Sequence, residues 1–188
     1  MPSPHLGAII TDLLDLEPRR IRLAHQARID AYEADPHPLS VAAHVSVISG
    51  QRKEARARGF VIESDEGEIV GGRNGAPSPL TYFVASIGFA VLTDLVRAFA
   101  LHDISSRRIE LDITAVFPVA KKYANENVPI SADKIRYTVE IDSDAPAALI
   151  GEAVRWTEEH CHAVHTVREP VTVEAAYALN GHSFSPDP

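Results

Sequence analysis

The order of periodic segments in this sequence predicts an α+β fold. Alternating apolar and polar residues indicate strands both before and after one long apolar segment, which runs from Pro79 to His102. A shorter amphipathic segment and a last alternating stretch follow. Because strands and helices come in blocks rather than in strict alternation, this order favours antiparallel sheets over a doubly wound parallel sheet.

Composition predicts one globular domain and excludes several classes of partner. The 188 residues are 45% hydrophobic and 23% charged, which suits a buried core, and the net charge is −8. Without a cluster of Lys and Arg, a nucleic-acid partner is not expected. The longest apolar run, Tyr82 to Leu92, is shorter than the ~20 residues that span a bilayer, so no membrane partner is expected either.

Cysteine content and the N-terminus predict a cytoplasmic location. The chain has one cysteine and therefore cannot form an intramolecular disulfide. Asp12, Asp15 and Glu17 stand where a signal peptide would need an uninterrupted apolar run. We therefore expect the protein in the cytoplasm.

Residues 1–38 are predicted to form a helical extension. A first helix with apolar residues at helical spacing ends before Pro18, and a second ends by Asp35-Pro36. Their apolar positions are Leu6, Ile9, Ile10, Leu13 and Leu14 in the first, and Ile21, Leu23, Ala24, Ala27 and Ile29 in the second. We expect the extension to pack on the body or at a dimer seam, with a lid over a site as the alternative.

The next segments predict a hairpin and a loop. Val41, Ala43, Val45 and Val47 share one side of a strand, Gly50 to Lys53 forms a turn, and a second strand runs from about Ala55 to Glu63. The stretch from Gly71 to Pro79, with three glycines and two prolines, is predicted to be a loop.

The apolar segment predicts the central helix of the fold. Between Pro79 and His102 the main charged exceptions are Asp94 and Arg97, and a helix that is apolar all round must be buried on most sides. Pro79 suits the first turn because the N–H that it lacks would have had no partner within the helix.

Two more strands, a helix and a last strand are predicted after residue 105. Ile109 to Phe117 and Ile135 to Ile141 alternate, and Asp144 is expected to cap a helix with Pro146 near its start. The expected buried stripe of that helix is Leu149, Ile150, Ala153, Val154, Trp156 and Thr157. The last strand is expected at Val171, Val173, Ala175 and Tyr177.

Three segments resemble the OsmC/Ohr family of osmotically induced and organic-hydroperoxide-resistance proteins. Gly71–Leu80, running into Thr81–Ala90, resembles the entry to the family's central helix. Glu159–Val171 is similar to the segment around the family's second thiol, and Ala57–Glu66 extends the resemblance, which covers about Leu39 to Tyr177. Residues 39–188 are therefore assigned to an OsmC-like domain. The resemblance implies two curled antiparallel sheets wrapped around paired central helices in an intertwined homodimer, with its sites at the subunit interface.

The resemblance also locates a catalytic position that has lost its nucleophile. In the family the peroxide-attacking thiol stands eleven residues after the loop proline, and here that residue is Ala90, whereas the second thiol is retained as Cys161. The family holds the first thiol as thiolate with an arginine, which a glutamate just after the proline supports. Leu80 and Thr81 replace that glutamate. Arg58 is the first candidate for the arginine, ahead of Arg56 and Arg73, and a solvated arginine is the alternative for each.

Three functions follow from this position. The first is a protein related to hydroperoxide reductases whose thiol-peroxidase activity is lost or reduced, because two-thiol chemistry cannot run within a chain that has one cysteine. The second is a non-enzymatic protein that binds a small hydrophobic ligand in an interface pocket lined by Phe83, Ser86, Phe89 and Ala90. The third is a hydroperoxide reductase that uses Cys161 and an external thiol. No cofactor is expected.

Two interpretations of Cys161 are open, and the histidines beside it suggest a third, a metal site. Cys161 is either a buried unreactive thiol or a reactive one, since a preceding helix would raise its pKa while protonated His160, His162 or His165 would lower it. These imidazoles and the thiolate are ligands that zinc prefers. Adjacent residues on regular backbone point in different directions, and no second cluster of ligands is present, so no metal is expected.

Overall fold

The computed structural model describes residues 18–119 and 130–186 and shows an α+β chain with three antiparallel sheets. The helices are α1 (Pro18–Ala34), α2 (Pro79–Leu101), α3 (Ala147–His160) and α4 (His162–Arg168). The strands are β1 (His44–Ser49), β2 (Arg52–Ala57), β3 (Phe60–Ser64), β4 (Arg108–Val116), β5 (Lys134–Asp142), β6 (Tyr177–Leu179) and β7 (His182–Phe184). The predicted first helix, from Leu6 to Leu14, lies outside the described residues.

The 23-residue helix α2 is the centre of the fold, as its composition predicted. Ser78 accepts the Thr81 N–H at the helix start and Pro79 occupies the first turn. The helices α1, α3 and α4 and the β4–β5 hairpin pack around α2. Gly88 brings α2 close to that hairpin, because a Cβ there would stand 3.1 Å from a Leu111 methyl group.

Length and composition alone would allow α2 to cross a membrane. Its most apolar 18 residues have a mean hydropathy of 1.7, and 44% of that stretch is buried inside the protein. A helix at the centre of a globular core has the same length and composition. This property by itself therefore does not distinguish a membrane-spanning helix from a core helix.

Two apolar clusters form the core along α2. The C-terminal half of α2 packs with α3 and β4 in a first cluster of Leu95, Ala98, Phe99, Ile104, Ile109 and Ala153. The middle of α2 packs with the α3–α4 corner in a second cluster of Ile87, Val91, Cys161 and Val164. The second cluster carries the residues on which the functional argument depends, and we call it the Cys161 cluster.

The helix α1 packs on the body of the same chain. Arg22 donates to the carbonyl oxygen of Ala100 at 2.8 Å and forms an ion pair with Asp103, while the His25 ring lies edge-on to Trp156. Packing on the body was the expected role of the extension. Its end at Ala34 agrees with the expected stop before Asp35-Pro36.

Several predicted boundaries are wrong. The predicted strand from Ala55 to Glu63 is two strands, because Arg58 and Gly59 both have positive φ (51° and 84°) and form a tight turn that reverses the chain. The turn before it is limited to Gly50 and Gln51, and β1 begins at His44 rather than Val41. Local alternation does not reveal such a turn, since Arg58 is not a typical residue for positive φ.

The C-terminal third differs from prediction in four respects. Pro146, not Asp144, occupies the cap position of α3, and the Asp144 carboxylate instead pairs with Arg107. Val154 is exposed rather than part of the buried stripe. The unpredicted helix α4 begins directly after Cys161, and residues 171–176 form no strand, the last hairpin being β6–β7.

Candidate functional site

The structure brings Ala90 and Cys161 to the same apolar cluster. Ala90 is partly buried on α2 and packs against the cluster that contains the buried Cys161 and Val164. These two positions are 71 residues apart in sequence and were aligned independently, one from each segment of the resemblance. The two positions therefore lie in the same region of the core, and their assignment as the family's thiol positions stays a prediction.

Cys161 is held in a buried corner between two helices. Its N–H donates to the Thr157 carbonyl oxygen at the end of α3, and its carbonyl oxygen accepts from His165 N–H at the start of α4, each at 3.0 Å. The residue has 0% of its surface exposed. The thiol is therefore part of the core and not of an open cleft.

The surroundings make Cys161 a weak nucleophile at neutral pH. Burial raises the pKa of the thiol, and the negative charge of the neighbouring Asp94 raises it further, although the N–H groups of Val164 and Ala163 lower it in part. Because the thiolate is the reactive form, a raised pKa and an inaccessible sulfur both slow its chemistry. The structure thus favours the buried, unreactive reading of this cysteine.

A polar network lies beside the Cys161 cluster. Arg168 donates to Glu158 at 2.6 Å, and the Tyr137 hydroxyl donates to the other Glu158 oxygen. Burial, with the hydrogen bond to Glu158 next in size, raises the pKa of Tyr137 to about 12. For Glu158, burial alone would raise the pKa, but the hydrogen bonds from Tyr137 and Arg168 and the charge of Arg168 lower it. The Glu158 carboxylate therefore stays ionised and paired with Arg168.

Sequence reasoning missed this network. Glu158 and Arg168 lie on two different helices that meet at the Cys161 corner, and the second of these helices was not predicted. Arg168 is thus an arginine near Cys161 whose pKa is raised mainly by its hydrogen bond to Glu158. The apolar strand alternation that includes Tyr137 gave no sign of a partly buried hydroxyl that donates to a carboxylate.

The predicted arginines lie elsewhere in the described chain. Arg58 stands in the exposed turn between β2 and β3, outside the Cys161 cluster. Arg56 pairs with Glu54 at 2.7 Å, and Arg73 donates its backbone N–H to Asp65. A thiolate-stabilising role of Arg58 thus stays a prediction.

One of the four predicted ligand-contacting residues, Phe89, lines a described cavity, and the other three have different neighbours within the chain. The Phe83 ring packs edge-on to Phe117, and the Ser86 hydroxyl donates to the Phe83 carbonyl oxygen at 2.7 Å. Phe89 is 69% exposed and lines a cavity of about 810 Å³ between α1, α2 and the first residue of α4. Ala90 belongs to the Cys161 cluster, so of the four Phe89 is the one that contacts this cavity.

The histidines near Cys161 point to different surroundings. The His160 ring stacks on Trp156 with centroids 4.3 Å apart and donates to the Trp156 carbonyl oxygen, whereas His162 lines the cavity. His165 lies near Glu158. Within residues 18–119 and 130–186, no three potential metal ligands come together.

The buried Asp65 organises the loop that leads into α2. Its carboxylate accepts N–H groups from Glu66, Arg73 and Gly75 at 2.9 to 3.1 Å. The Tyr82 hydroxyl, on the first turn of α2, donates to the Glu63 carbonyl oxygen at 2.8 Å. Asp65 therefore fixes the loop that positions the start of the central helix.

We expect Asp65→Asn to lose stability mainly at neutral pH. The hydrogen bond from Gly75, followed by those from Glu66 and Arg73, outweighs burial and lowers the Asp65 pKa from its usual 3.8. This stabilisation is fully present above the unfolded-state pKa and is lost as pH falls through the lower folded-state pKa. The melting-temperature difference between wild type and Asp65→Asn should shrink on going from pH 7 to pH 3. The exposed Glu68→Gln is the control, and an equal difference at both pH values would contradict this role.

Comparison with known proteins agrees with this fold. Solved structures similar to the chain include an OsmC-like protein from Mycoplasma pneumoniae (TM-score 0.59, 14% identity, 70% of this chain and 89% of that one). A hypothetical protein from Aquifex aeolicus has a TM-score of 0.55 and 13% identity over 70% of this chain and 89% of that one. An organic hydroperoxide resistance protein OsmC from Legionella pneumophila has a TM-score of 0.50 and 12% identity over 70% and 92%. No curated protein sequence matches the chain.

The family assignment follows from sequence as well as structure. Antiparallel sheets beside a long apolar helix, with a cysteine at the corner of two following helices, define an α+β protein of the OsmC-like class. The family model for OsmC-like proteins matches residues 72–176, more than half of the sequence. The chain belongs to the OsmC family.

Proposed function

We propose that this protein is an OsmC-like relative of the hydroperoxide-resistance proteins in which the thiol-peroxidase activity is lost or reduced. The observation that supports the proposal is that Ala90, the residue eleven positions after Pro79 where the resemblance expects the attacking thiol, packs against the Cys161 cluster. A methyl group cannot attack a peroxide, and nucleophilic catalysis needs an ionisable group at that position. The remaining thiol is buried and has a raised pKa.

We expect negligible reduction of cumene hydroperoxide or tert-butyl hydroperoxide with dithiols as reductants. Cys161 in the native protein should also react slowly with a thiol reagent at neutral pH and rapidly after unfolding, since burial protects it. Peroxide consumption and mass-spectrometric labelling measure the two results. Turnover that is abolished by Cys161→Ser would support the one-cysteine reductase instead. Turnover that survives Cys161→Ser would show that the active site lies elsewhere.

The second candidate function is ligand binding without catalysis. The cavity of about 810 Å³ beside Phe89 favours it, because sites for small molecules are typically concave and mostly apolar, with volumes of roughly 300–1,000 Å³. The loss of the nucleophile leaves such a cavity intact. The two functions are compatible, since a protein without peroxidase activity can retain a binding site.

We further propose an intertwined homodimer, which the exposed apolar faces of the single chain support. The β1–β3 sheet has no buried residue in the described chain, and Val47 and Phe60 are 70% and 71% exposed. On α2, Leu80 and Phe83 are exposed as well. Apolar patches of this extent mark protein interfaces, and a second copy would cover them.

Sedimentation equilibrium should give twice the chain mass of 20.4 kDa, and the melting temperature should rise with protein concentration. Val47→Asp should produce monomers or unfolded chains, because the charge would lie in the interface although Val47 is exposed in one chain. Ser46→Asp, on the opposite side of the same strand, is the matched control. A folded wild-type monomer with a concentration-independent melt would refute the dimer.

A further inference from the structure

The cavity beside Phe89 has one wall built by the N-terminal part of this chain. The helix α1 and Leu39 lie before residue 72, where the match to the family model begins, and α2 supplies the opposite wall. Six residues form the apolar surface: Ile21, Ala24, Leu39, Phe89, Leu92 and Val96. One wall of this cavity is therefore formed by residues that lie outside the region matched by the family model.

The polar groups of the cavity are all basic or neutral. Arg28 and Arg97 supply guanidinium groups, and His25, His162 and the Thr93 hydroxyl complete the polar lining. No carboxylate is among the described lining residues, although the whole chain carries a net charge of −8. A positive cavity in a protein of negative net charge favours anionic ligands at that one place, because the net charge repels anions while the cavity attracts them.

The two guanidinium groups differ in their partners. Arg97 is paired with the buried Asp94, one turn earlier on α2, so its charge is largely balanced. Arg28 has no hydrogen-bond or ion-pair partner among the described side chains, and it stands on the exposed part of α1 at the cavity. Arg28 is therefore the group that is free to bind an anion.

We propose that this cavity binds a linear monocarboxylate, with the hydrocarbon tail on the apolar wall and the carboxylate at Arg28. The inference rests on the binding function proposed above and names its ligand class. A guanidinium donates two parallel N–H bonds to a carboxylate, which gives geometry as well as charge. An alcohol of the same length would bury the same tail without that pairing, and an amine would meet the like charge of Arg28.

The test is isothermal titration of the full-length protein with decanoate, decanol and decylamine. Decanoate should bind about tenfold more tightly than decanol, since a hydrogen-bonded ion pair adds roughly this much, and decylamine should bind most weakly. The preference for decanoate should weaken as salt screens the exposed Arg28. Binding measured at low and at high salt gives both results from one protein preparation.

Variants separate the head group from the tail. Arg28→Gln should weaken decanoate binding about tenfold and leave decanol unchanged, with Arg28→Lys between them. Arg19→Gln, on the same helix but outside the cavity, is the matched control and should change neither. Ala24→Trp should weaken binding of both ligands, because the larger side chain takes up part of the apolar wall from an exposed helix position.

The possible outcomes distinguish this proposal from the function on which it rests. Equal affinity for the three ligands, unaffected by Arg28→Gln, would overturn the carboxylate preference and leave a binding protein. No binding of any of them would overturn the cavity as a ligand site. In that case a switch from dimer to monomer on Ala24→Trp would assign this face to a second copy of the chain. The peroxide assay measures the loss of catalysis independently of all three results.

Discussion

Mild oxidation of an Ala90→Cys variant is expected to join the introduced thiol to Cys161. The two positions belong to one packed cluster, and a disulfide needs Cα atoms within roughly 7 Å. Intact-mass measurement should show the loss of two hydrogens, and thiol titration should fall from two groups to none. Hydroperoxide reduction by this variant but not by wild type would support the assignment of Ala90 to the nucleophile position.

Leu80→Cys is the control for this experiment. Leu80 is exposed at the start of α2, ten residues before Ala90 and about 15 Å away along the helix axis. Its introduced thiol should remain unlinked to Cys161 under the same oxidation. If the Ala90→Cys variant is folded and its two thiols also stay unlinked, Ala90 does not occupy the position of the family's nucleophile.

Gly72→Ala is expected to destabilise the protein by at least about 3 kcal/mol, the upper range for overpacking. A Cβ at residue 72 would stand 1.8 Å from the Glu66 carbonyl oxygen and 2.3 Å from its carbonyl carbon. Because these are backbone atoms of the loop that Asp65 holds, they cannot move aside as a flexible side chain would. Denaturant unfolding, monitored by circular dichroism, measures the change.

Gly67→Ala in the same loop is the matched control. Its φ of −65° suits any residue, and a Cβ there would meet nothing within 4 Å. The variant should therefore unfold within about 0.5 kcal/mol of wild type, as surface substitutions usually do. Equal stability of the two alanine variants would show that the loop is not packed as the structure has it.

The central helix was the part of the fold most completely predicted from sequence. Its start at Pro79 and its end beside His102 were correct, because a proline, a cap residue and an unbroken apolar run are local signals. The strands β4 and β5 were also correct to within one or two residues, since their apolar residues alternate regularly. The two strands pair antiparallel, and Arg108 lies opposite Asp142, which is 34 residues later in the sequence.

Boundaries set by contacts rather than by local pattern were missed. The reversal at Arg58 and Gly59 depends on positive φ values that no local pattern indicated at Arg58. The Asp144 carboxylate was expected at a helix cap, but Arg107 on a neighbouring segment offers an ionised partner. The first difference is a local turn at a residue that rarely adopts positive φ, and the second arises because a tertiary partner competes with a local preference.

Three assignments remain predictions: residues 1–38 form an extension, the protein is cytoplasmic, and it has no nucleic-acid or membrane partner. They rest on composition and on the limits of the resemblance, and the described residues do not test them. The packing of α1 against α2 and the Trp156 ring shows where one part of the extension lies.

The sequence by itself determined the α+β class and the central helix, and its family resemblance predicts that Ala90 replaces the nucleophile while Cys161 is retained. These follow from local periodicity and from residue identity at positions counted from a proline. Only the tertiary structure decided that Cys161 is buried beside Asp94, that Arg168 is committed to Glu158, and that α1 forms a wall of a basic cavity. Burial, pKa and charge pairing depend on groups that are distant in sequence, so they are properties of the packed chain.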